Sequence, residues 1–105
     1  MRFSVEFSPS AQADLERLFD FLVQRELDSA SGDLSLPERA LDAIQAGVAF
    51  LKASPFACRK VGPSPFVREL VITFGSTGYV ALYEIVNEHT VIIGAVRHQR
   101  EDDYH

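Results

Sequence analysis

The sequence predicts an α+β domain of two layers, in which an N-terminal strand and a helical hairpin pack on an antiparallel β-sheet. Two long segments repeat apolar residues at helical spacing; three short segments alternate apolar and polar residues, and a fourth is almost wholly apolar. The last three strands are joined by short links, so they form an antiparallel meander. A meander with one apolar face needs a cover, which the helices supply. The predicted order is β-α-α-β-β-β, in a single domain spanning residues 1–105.

The first strand and the first helix are predicted from residues 2–7 and from about residues 11–28. Along the strand, apolar residues alternate with polar ones. Ser8 and Pro9 then begin the helix, because proline is tolerated in a first helical turn. The apolar helix face holds Ala11, Leu15, Leu18, Phe19, Leu22 and Leu27. The polar face holds Asp14, Glu16, Arg17, Asp20, Gln24 and Arg25.

The second helix is predicted to begin near Ser35 and to run to about Ala53. Residues 29–33 are small and polar and form the loop before it. The Ser35 hydroxyl and the Glu38 carboxylate have the spacing of a capping box. Residues 54–65 hold three prolines and one glycine, which predicts a long loop.

The three strands of the meander are predicted at residues 66–74, 79–86 and 90–96. Alternation places Arg68, Leu70, Ile72 and Phe74 on one side of the first of them. Tyr79, Ala81, Tyr83 and Ile85 share one side of the second, and both tyrosines are predicted to lie in the core. Because the third strand is almost wholly apolar, we expect it to be central and covered on both faces.

Composition narrows the classes of function. The net charge is −5, which does not favour a general nucleic-acid binder, although residues 54–100 hold five basic and three acidic side chains. A single cysteine excludes an internal disulfide and a cysteine metal cluster. Neither metal-ligand spacing nor a glycine-rich phosphate loop is present, so no metal or cofactor is expected. The N-terminus lacks the signal-peptide pattern, which favours the cytoplasm.

The segment after the last strand carries the candidate site. His98 can exchange a proton near neutral pH, and Arg97 and Arg100 flank it. Guanidinium groups bind phosphate oxygens through paired donors. Arg68 joins Arg97 and Arg100 in binding a phosphate group if the tail folds back towards the meander. The alternatives are a surface histidine and arginines engaged in ion pairs. Tyr104 either stacks on a base or donates a proton, or else pins the tail to the sheet.

The chain resembles the RelE/ParE superfamily of bacterial toxins. The resemblance lies in the order of elements and in the sequences Phe-Ser-Pro-Ser-Ala-Gln-Ala-Asp-Leu at 7–15, Arg-Glu-Leu at 68–70, Gly-Tyr-Val-Ala-Leu-Tyr-Glu-Ile at 78–85 and Val-Arg-His-Gln-Arg-Glu-Asp at 96–102. It implies the toxin of a type II toxin–antitoxin pair, which stabilises plasmids or responds to stress. A cognate antitoxin encoded beside it neutralises it in a hetero-oligomer.

The superfamily divides by target. RelE-like members cut mRNA in the ribosomal A site, whereas ParE-like members poison DNA gyrase and are not nucleases. The nuclease branch implies catalytic roles for Arg68, His98, Arg100 and Tyr104. The gyrase branch implies target contacts by Arg59, Lys60, Arg97, His98 and Arg100.

Three departures favour the ParE-like branch. The nuclease arginine that follows the first tyrosine of the Gly-Tyr strand is Val80 here. The lysine-rich stretch before the meander is reduced to Arg59 and Lys60. A net charge of −5 is poor for gripping ribosomal RNA, where affinity comes largely from phosphate neutralisation. The alternatives are a ribosome-dependent endoribonuclease and a degenerate toxin that only binds its antitoxin.

Overall fold

The computed structural model describes residues 2–100, in which two helices pack on a five-stranded sheet. The elements in chain order are β1 (Ser4–Phe7), α1 (Pro9–Asp28), α2 (Leu36–Phe50), β2 (Arg59–Lys60), β3 (Val67–Phe74), β4 (Thr77–Ile85) and β5 (Thr90–His98). The strands lie in the order β1-β5-β4-β3-β2. The predicted α+β class is confirmed. The sheet is mixed, because β1 runs parallel to β5 while the other pairs are antiparallel.

The start of α1 follows from its sequence. Ser8 is the N-cap residue, and its hydroxyl oxygen accepts a hydrogen bond of 3.1 Å from the amide of Ala11. Pro9 occupies the first turn, where its missing N–H has no intrahelical partner to lose. Leu18 and Leu22 are buried as predicted, but Leu27, in the last turn, is 59% exposed. No segment of residues 2–100 forms a helix long and apolar enough to cross a membrane.

The predicted capping box at the start of α2 is wrong. The Ser35 hydroxyl donates to the Asp33 carboxylate at 2.6 Å instead of capping the helix. Asp33 also pairs with Arg39 at 2.8 Å, so one carboxylate organises this loop. Further along, a Cβ at Gly47 would lie 2.8 Å from Cγ1 of Ile72, which shows how closely α2 approaches β3.

The core lies between the helices and one face of the sheet. From the sheet it contains Leu70, Ile72, Tyr79, Ala81, Tyr83, Ile85, Val91, Ile93 and Val96. From the helices it contains Ala11, Leu18, Leu22, Ala40, Ile44 and Val48. The predicted core positions of Tyr79 and Tyr83 are confirmed, and Leu70 and Ile72, which the alternation places on one side of β3, both lie in the core. Gly75 and Ser76 alone join these strands, and Gly75 adopts a φ of +60°, which glycine accepts without steric cost.

Two expectations about the other strands fail. β5 is interior because β1 and β4 flank it, but it is not covered on both faces, since Gly94 is exposed. The loop predicted at residues 54–65 contains the short 3₁₀ helix Pro55–Ala57 and strand β2, which pairs with β3. A two-residue strand in a proline-rich segment leaves no alternation to detect.

Candidate functional site

A β-bulge at Gly94 decides which side chains of β5 face the helices. Tyr83 pairs with Ile93 and Leu82 pairs with Ala95, so Gly94 is an extra residue opposite β4. An extra residue shifts the alternation of side chains by one position. As a result His98 lies on the helix side of the sheet, across from Tyr79, while Arg97 lies on the outer side.

The beginning of α1 holds the bulge in place. The amide of Ser8 donates to the carbonyl of Ile93 at 2.9 Å, and its hydroxyl donates to the carbonyl of Gly94 at 3.2 Å. The amide of Val96 donates to the carboxylate of Asp14 at 2.9 Å. Asp14 is only 6% exposed, so this bond is made in the interior. These groups of β5 lie at or just past the end of its pairing with β1, and they therefore find partners at the start of α1.

Both ring nitrogens of His98 take part in local hydrogen bonds. The backbone amide of Arg100 donates to Nδ1 at 3.1 Å, and Nε2 lies 3.1 Å from the hydroxyl of Thr77. Because Nδ1 accepts, Nε2 carries the proton in the neutral imidazole and donates to Thr77. The ring also contacts Tyr79 edge-on, with centroids 5.6 Å apart. These contacts hold the imidazole in one orientation.

His98 lies in a cleft of about 670 Å³ between α1 and the β3–β4 turn. Four basic side chains line this cleft, which we call the basic cleft: Arg17, Arg25, His98 and Arg100. Its apolar lining comes from Leu18, Phe21, Leu22, Leu36, Phe74 and Tyr79. The guanidinium of Arg25 lies 6.0 Å from the centre of the Phe21 ring, within cation–π distance.

Arg17, Phe21 and Arg25 were missed as site residues by the sequence analysis. They are spaced four residues apart, so they form one row along the surface of α1. That spacing was visible in the sequence. Arg17 and Arg25 were interpreted as part of a solvated helix face, because nothing in the sequence places the β3–β4 turn opposite them.

Arg68 lies at the other end of the sheet from His98. The partners of these residues on β4 are Tyr83 and Tyr79, four positions apart, which corresponds to about 13 Å along a strand. The guanidinium of Arg68 donates to the carbonyls of Pro65, Phe56 and Cys58, at 2.8, 3.0 and 2.7 Å. Arg68 thus ties the 55–65 segment to β3, and the structure does not bring it beside Arg100.

The outer face of the sheet carries another group of charges. Glu69 lies 2.8 Å from Arg59 and 4.0 Å from Arg97, so its carboxylate connects the two arginines. Lys60 is exposed beside Arg59 on the edge strand β2. Val80, the strand partner of Arg97, is 2% exposed and contributes no charge. Tyr104 falls outside the described residues.

The end of the sheet that lies away from the basic cleft is mainly apolar. An apolar pocket of about 590 Å³ is lined by Phe3, Phe56, Phe66, Glu84, Ile85, Val86, Asn87 and Glu88. Its charged rim is acidic, in contrast to the basic cleft. Among residues 2–100, no group of three histidine, cysteine, aspartate or glutamate side chains is arranged to hold a metal ion.

Comparison with known proteins identifies relatives along almost the whole chain. A family model described as "ParE toxin of type II toxin-antitoxin system, parDE" matches residues 5–103. Toxin RelE3 of Caulobacter vibrioides is 34% identical over 99 residues, which cover 93% of this chain and 96% of the relative. Toxin RelE1 of the same organism is 36% identical over 86 residues, covering 82% and 83%.

A solved structure shares the fold. The chromosomal ParDE TA system from P. aeruginosa contains a chain that matches with a TM-score of 0.68, over 96% of this chain and 98% of that one. The sequence identity is 19%, so this likeness concerns the fold alone.

Proposed function

Because the chain belongs to the family of ParE toxins of type II toxin–antitoxin systems, we propose that it inhibits DNA gyrase and does not cut RNA. The protein is the toxin of such a pair, and its partner is an antitoxin. In the proposal it acts in the cytoplasm, where its target is found. Growth inhibition follows when the toxin outlasts its antitoxin, which is the basis of plasmid stabilisation.

The dispersal of the candidate arginines carries the proposal. Cleavage of RNA needs positive groups that converge on one phosphate as charge develops there. Arg68 is bound to backbone carbonyls at one end of the sheet, Arg97 lies on the outer face, and Arg100 borders the basic cleft. A clamp that joins Arg68 to Arg100 on one phosphate would require Arg68 to leave these carbonyls and cross about four positions of the sheet.

The state of Val80 supports the same proposal. This position, where the resemblance expects a nuclease arginine, is apolar and nearly inaccessible. The neighbouring outer positions on β3 are Val71 and Thr73, both exposed and uncharged. Outer-face charge is instead concentrated around Glu69.

We assign target contacts to Arg59, Lys60, Arg97, His98 and Arg100. The first two project from the edge of the sheet, where a partner protein can reach them. Arg97 is held beside them on the outer face through Glu69. Exposed cations such as Arg59 and Lys60 set the association rate and its salt dependence.

A supercoiling assay tests the proposal. Purified toxin added to gyrase and relaxed plasmid is expected to prevent supercoiling or to trap cleaved DNA, and the antitoxin is expected to reverse the effect. No effect on gyrase at saturating toxin contradicts the proposal. Failure to arrest growth on expression without the antitoxin would instead indicate a degenerate toxin that only binds its antitoxin.

A second candidate function is ribosome-dependent cleavage of mRNA. The two curated relatives are named RelE toxins, and His98 lies beside Arg100 in the basic cleft. The roles then fall to Arg68, His98, Arg100 and Tyr104. This alternative predicts codon-positioned cuts in translated mRNA that Arg100→Ala abolishes, and intact mRNA after induction rejects it.

A further inference from the structure

We propose that the apolar pocket binds a small organic amine, with the apolar body of the ligand inside the cavity and its ammonium group at the acidic rim. The pocket lies at the end of the sheet away from the basic cleft, and none of the proposed target contacts lines it. The proposal therefore depends neither on gyrase nor on the antitoxin.

Aromatic side chains from three segments of the chain form the apolar walls of the pocket. Phe3 precedes β1, Phe56 lies in the 3₁₀ helix and Phe66 precedes β3. The rings of Phe56 and Phe66 meet edge-on with their centres 6.3 Å apart, and the two residues are 50% and 48% exposed. An aromatic cavity of about 590 Å³ has the size and the lining of a small-molecule site.

The walls of the pocket are held by hydrogen bonds within the chain. The guanidinium of Arg68 donates to the carbonyl of Phe56 at 3.0 Å and to that of Pro65 at 2.8 Å. One side chain thus positions the two segments that carry the paired rings. The amide of Ile85 donates to the carbonyl of Phe66 at 2.8 Å and fixes the second segment to β4. A cavity that is already formed loses little conformational freedom when a ligand binds.

The rim of the pocket determines the charge of its ligand. Glu84 and Glu88 are exposed and line the cavity, and none of the described residues that line it is basic. Basic side chains do occur nearby in the chain, at Arg2, Lys52 and His89. Within residues 2–100, however, neither carboxylate of the rim forms an ion pair. Two such carboxylates at the mouth of an apolar cavity are complementary to a cation.

The position of Arg68 decides where the ammonium group lies. Its guanidinium is 5.3 Å from the centre of the Phe56 ring, so positive charge already occupies one face of that wall. A second cation deep in the cavity would be repelled by this charge, whereas a cation at the rim meets Glu84 and Glu88. An amine without an apolar body leaves the rings exposed, and an acid is repelled by the rim. An amine with an aryl or alkyl body satisfies both parts of the pocket.

The extent of the apolar surface favours a small ligand over a protein partner. Phe56, Phe66 and Val86 are all at least 42% exposed, and all three line one cavity. Exposed polar residues, Asn87 and Glu88, border them. A protein interface of ordinary size covers about 800 Å² on each partner and extends well beyond a single cavity.

Titration of phenethylamine into the full chain, followed by the amide chemical shifts in NMR spectra, tests the proposal. Saturable shifts are expected at residues 84–88 and around Phe3, Phe56 and Phe66. The expected Kd is on the order of one millimolar, because the ligand is small. No saturable shift at these residues overturns the proposal.

Two matched compounds separate the apolar and the charged parts of the ligand. Hydrocinnamate carries the same phenylethyl body with a carboxylate, and ethylamine carries the ammonium group without the body. We expect each of them to bind at least about tenfold more weakly than phenethylamine, because one is repelled by the rim and the other leaves the cavity unfilled. Equal affinity of phenethylamine and either compound contradicts the proposal.

Removal of the rim charge gives a second test. Glu84→Gln with Glu88→Gln keeps the shape of both side chains and is expected to weaken phenethylamine binding by roughly three- to tenfold, without weakening the binding of hydrocinnamate. The control, Glu16→Gln with Asp20→Asn, removes two charges from exposed positions of α1, which contributes no residue to the pocket. It is expected to leave the affinity within about twofold of wild type. Equal affinity of the rim variant and the wild type overturns the proposal, as does an equal loss in both double variants.

Other occupants of the pocket give distinct results. A second copy of the chain would shift the resonances of the pocket as the protein concentration rises, before any amine is added. A bound antitoxin that fills the pocket would abolish phenethylamine binding in the toxin–antitoxin complex. We expect shifts that are independent of protein concentration and an unchanged Kd in the complex, and either opposite result overturns the proposal. No measurement uses gyrase, so the outcome is separate from that of the proposed function.

Discussion

The buried carboxylate of Asp14 accepts the backbone amide of Val96, two residues before His98, across 82 positions of sequence. This bond joins α1 to the strand segment just past the β-bulge. The bulge turns Arg97 outward and His98 towards the helices. One interior hydrogen bond therefore helps to decide which charges face the basic cleft and which face the outer surface.

Replacement of Asp14 by leucine is expected to destabilise the fold by about 1–3 kcal/mol, because the amide of Val96 then stays buried without a partner. Asp14→Asn keeps an acceptor oxygen at the same position and is expected to lose less. Urea unfolding gives both values. Asp20→Asn, at an exposed position of α1, is the control. Equal stability of the leucine variant and the wild type would show that the bond contributes nothing.

Replacement of Arg68 by methionine keeps the aliphatic stem and removes the donors to three backbone carbonyls. We expect a loss of roughly 1.5–3 kcal/mol in unfolding free energy, because these hydrogen bonds come from a charged group. Hydrogen exchange is expected to accelerate at residues 55–65. Arg68→Lys keeps the charge and should retain part of the stability. Loss of toxicity with unchanged stability would instead assign Arg68 to the target or the reaction.

The burial of Tyr83 leads us to expect that the fold loses stability at alkaline pH. Burial, with a smaller contribution from Cys58, raises the pKa of its hydroxyl above the ordinary value of 10.0. The folded state therefore favours the protonated phenol. Its contribution to the free energy of unfolding is complete below pH 10 and is lost as the pH rises through the raised pKa. Burial raises the pKa of Tyr79 as well, so that residue adds to the same decline.

Tyr83→Phe isolates this contribution. The Tyr83 hydroxyl donates to the carbonyl of Pro55, so at neutral pH the variant is expected to be about 1 kcal/mol less stable than the wild type. Above pH 10 the difference between the two proteins should narrow. Urea unfolding at a series of pH values measures it. If the difference in unfolding free energy stays constant across the pH series, ionisation of Tyr83 does not cause the loss of stability at alkaline pH.

The exposed cations of β2 are expected to matter for the target and not for the fold. The double variant Arg59→Ala with Lys60→Ala should weaken gyrase inhibition on the order of tenfold at low salt, because both side chains reach solvent from the sheet edge. Arg2→Ala with Lys52→Ala removes the same charge elsewhere and should leave inhibition unchanged. Indistinguishable inhibition curves for the two double variants would remove β2 from the target contacts.

Much of the fold could be predicted because burial leaves a periodic trace. The period of two placed Leu70 with Ile72 and Tyr79 with Tyr83, and each pair lies on the inner face of its strand. The parallel pairing of β1 with β5 left no such trace, because Ser4 and its partner Thr90 lie far apart in the sequence. The bulge was equally hidden, since Gly94 shows its extra position only against β4.

The site was less predictable than the fold because its residues come from separate elements. The sequence identified His98 and Arg100 by their position after a strand, and the structure brings both to the basic cleft. It grouped Arg68 with them although that guanidinium binds backbone carbonyls elsewhere. It also assigned Asp14 to the polar helix face, because spacing alone does not reveal that a carboxylate meets an unpaired amide.

One measurement tests the central claim most directly: plasmid supercoiling and mRNA integrity followed in the same cells after induction of the toxin. The account predicts that supercoiling falls while translated mRNA stays intact, and that co-expression of the antitoxin restores supercoiling. Codon-positioned mRNA cuts with normal supercoiling would contradict it and assign the protein to the nuclease branch.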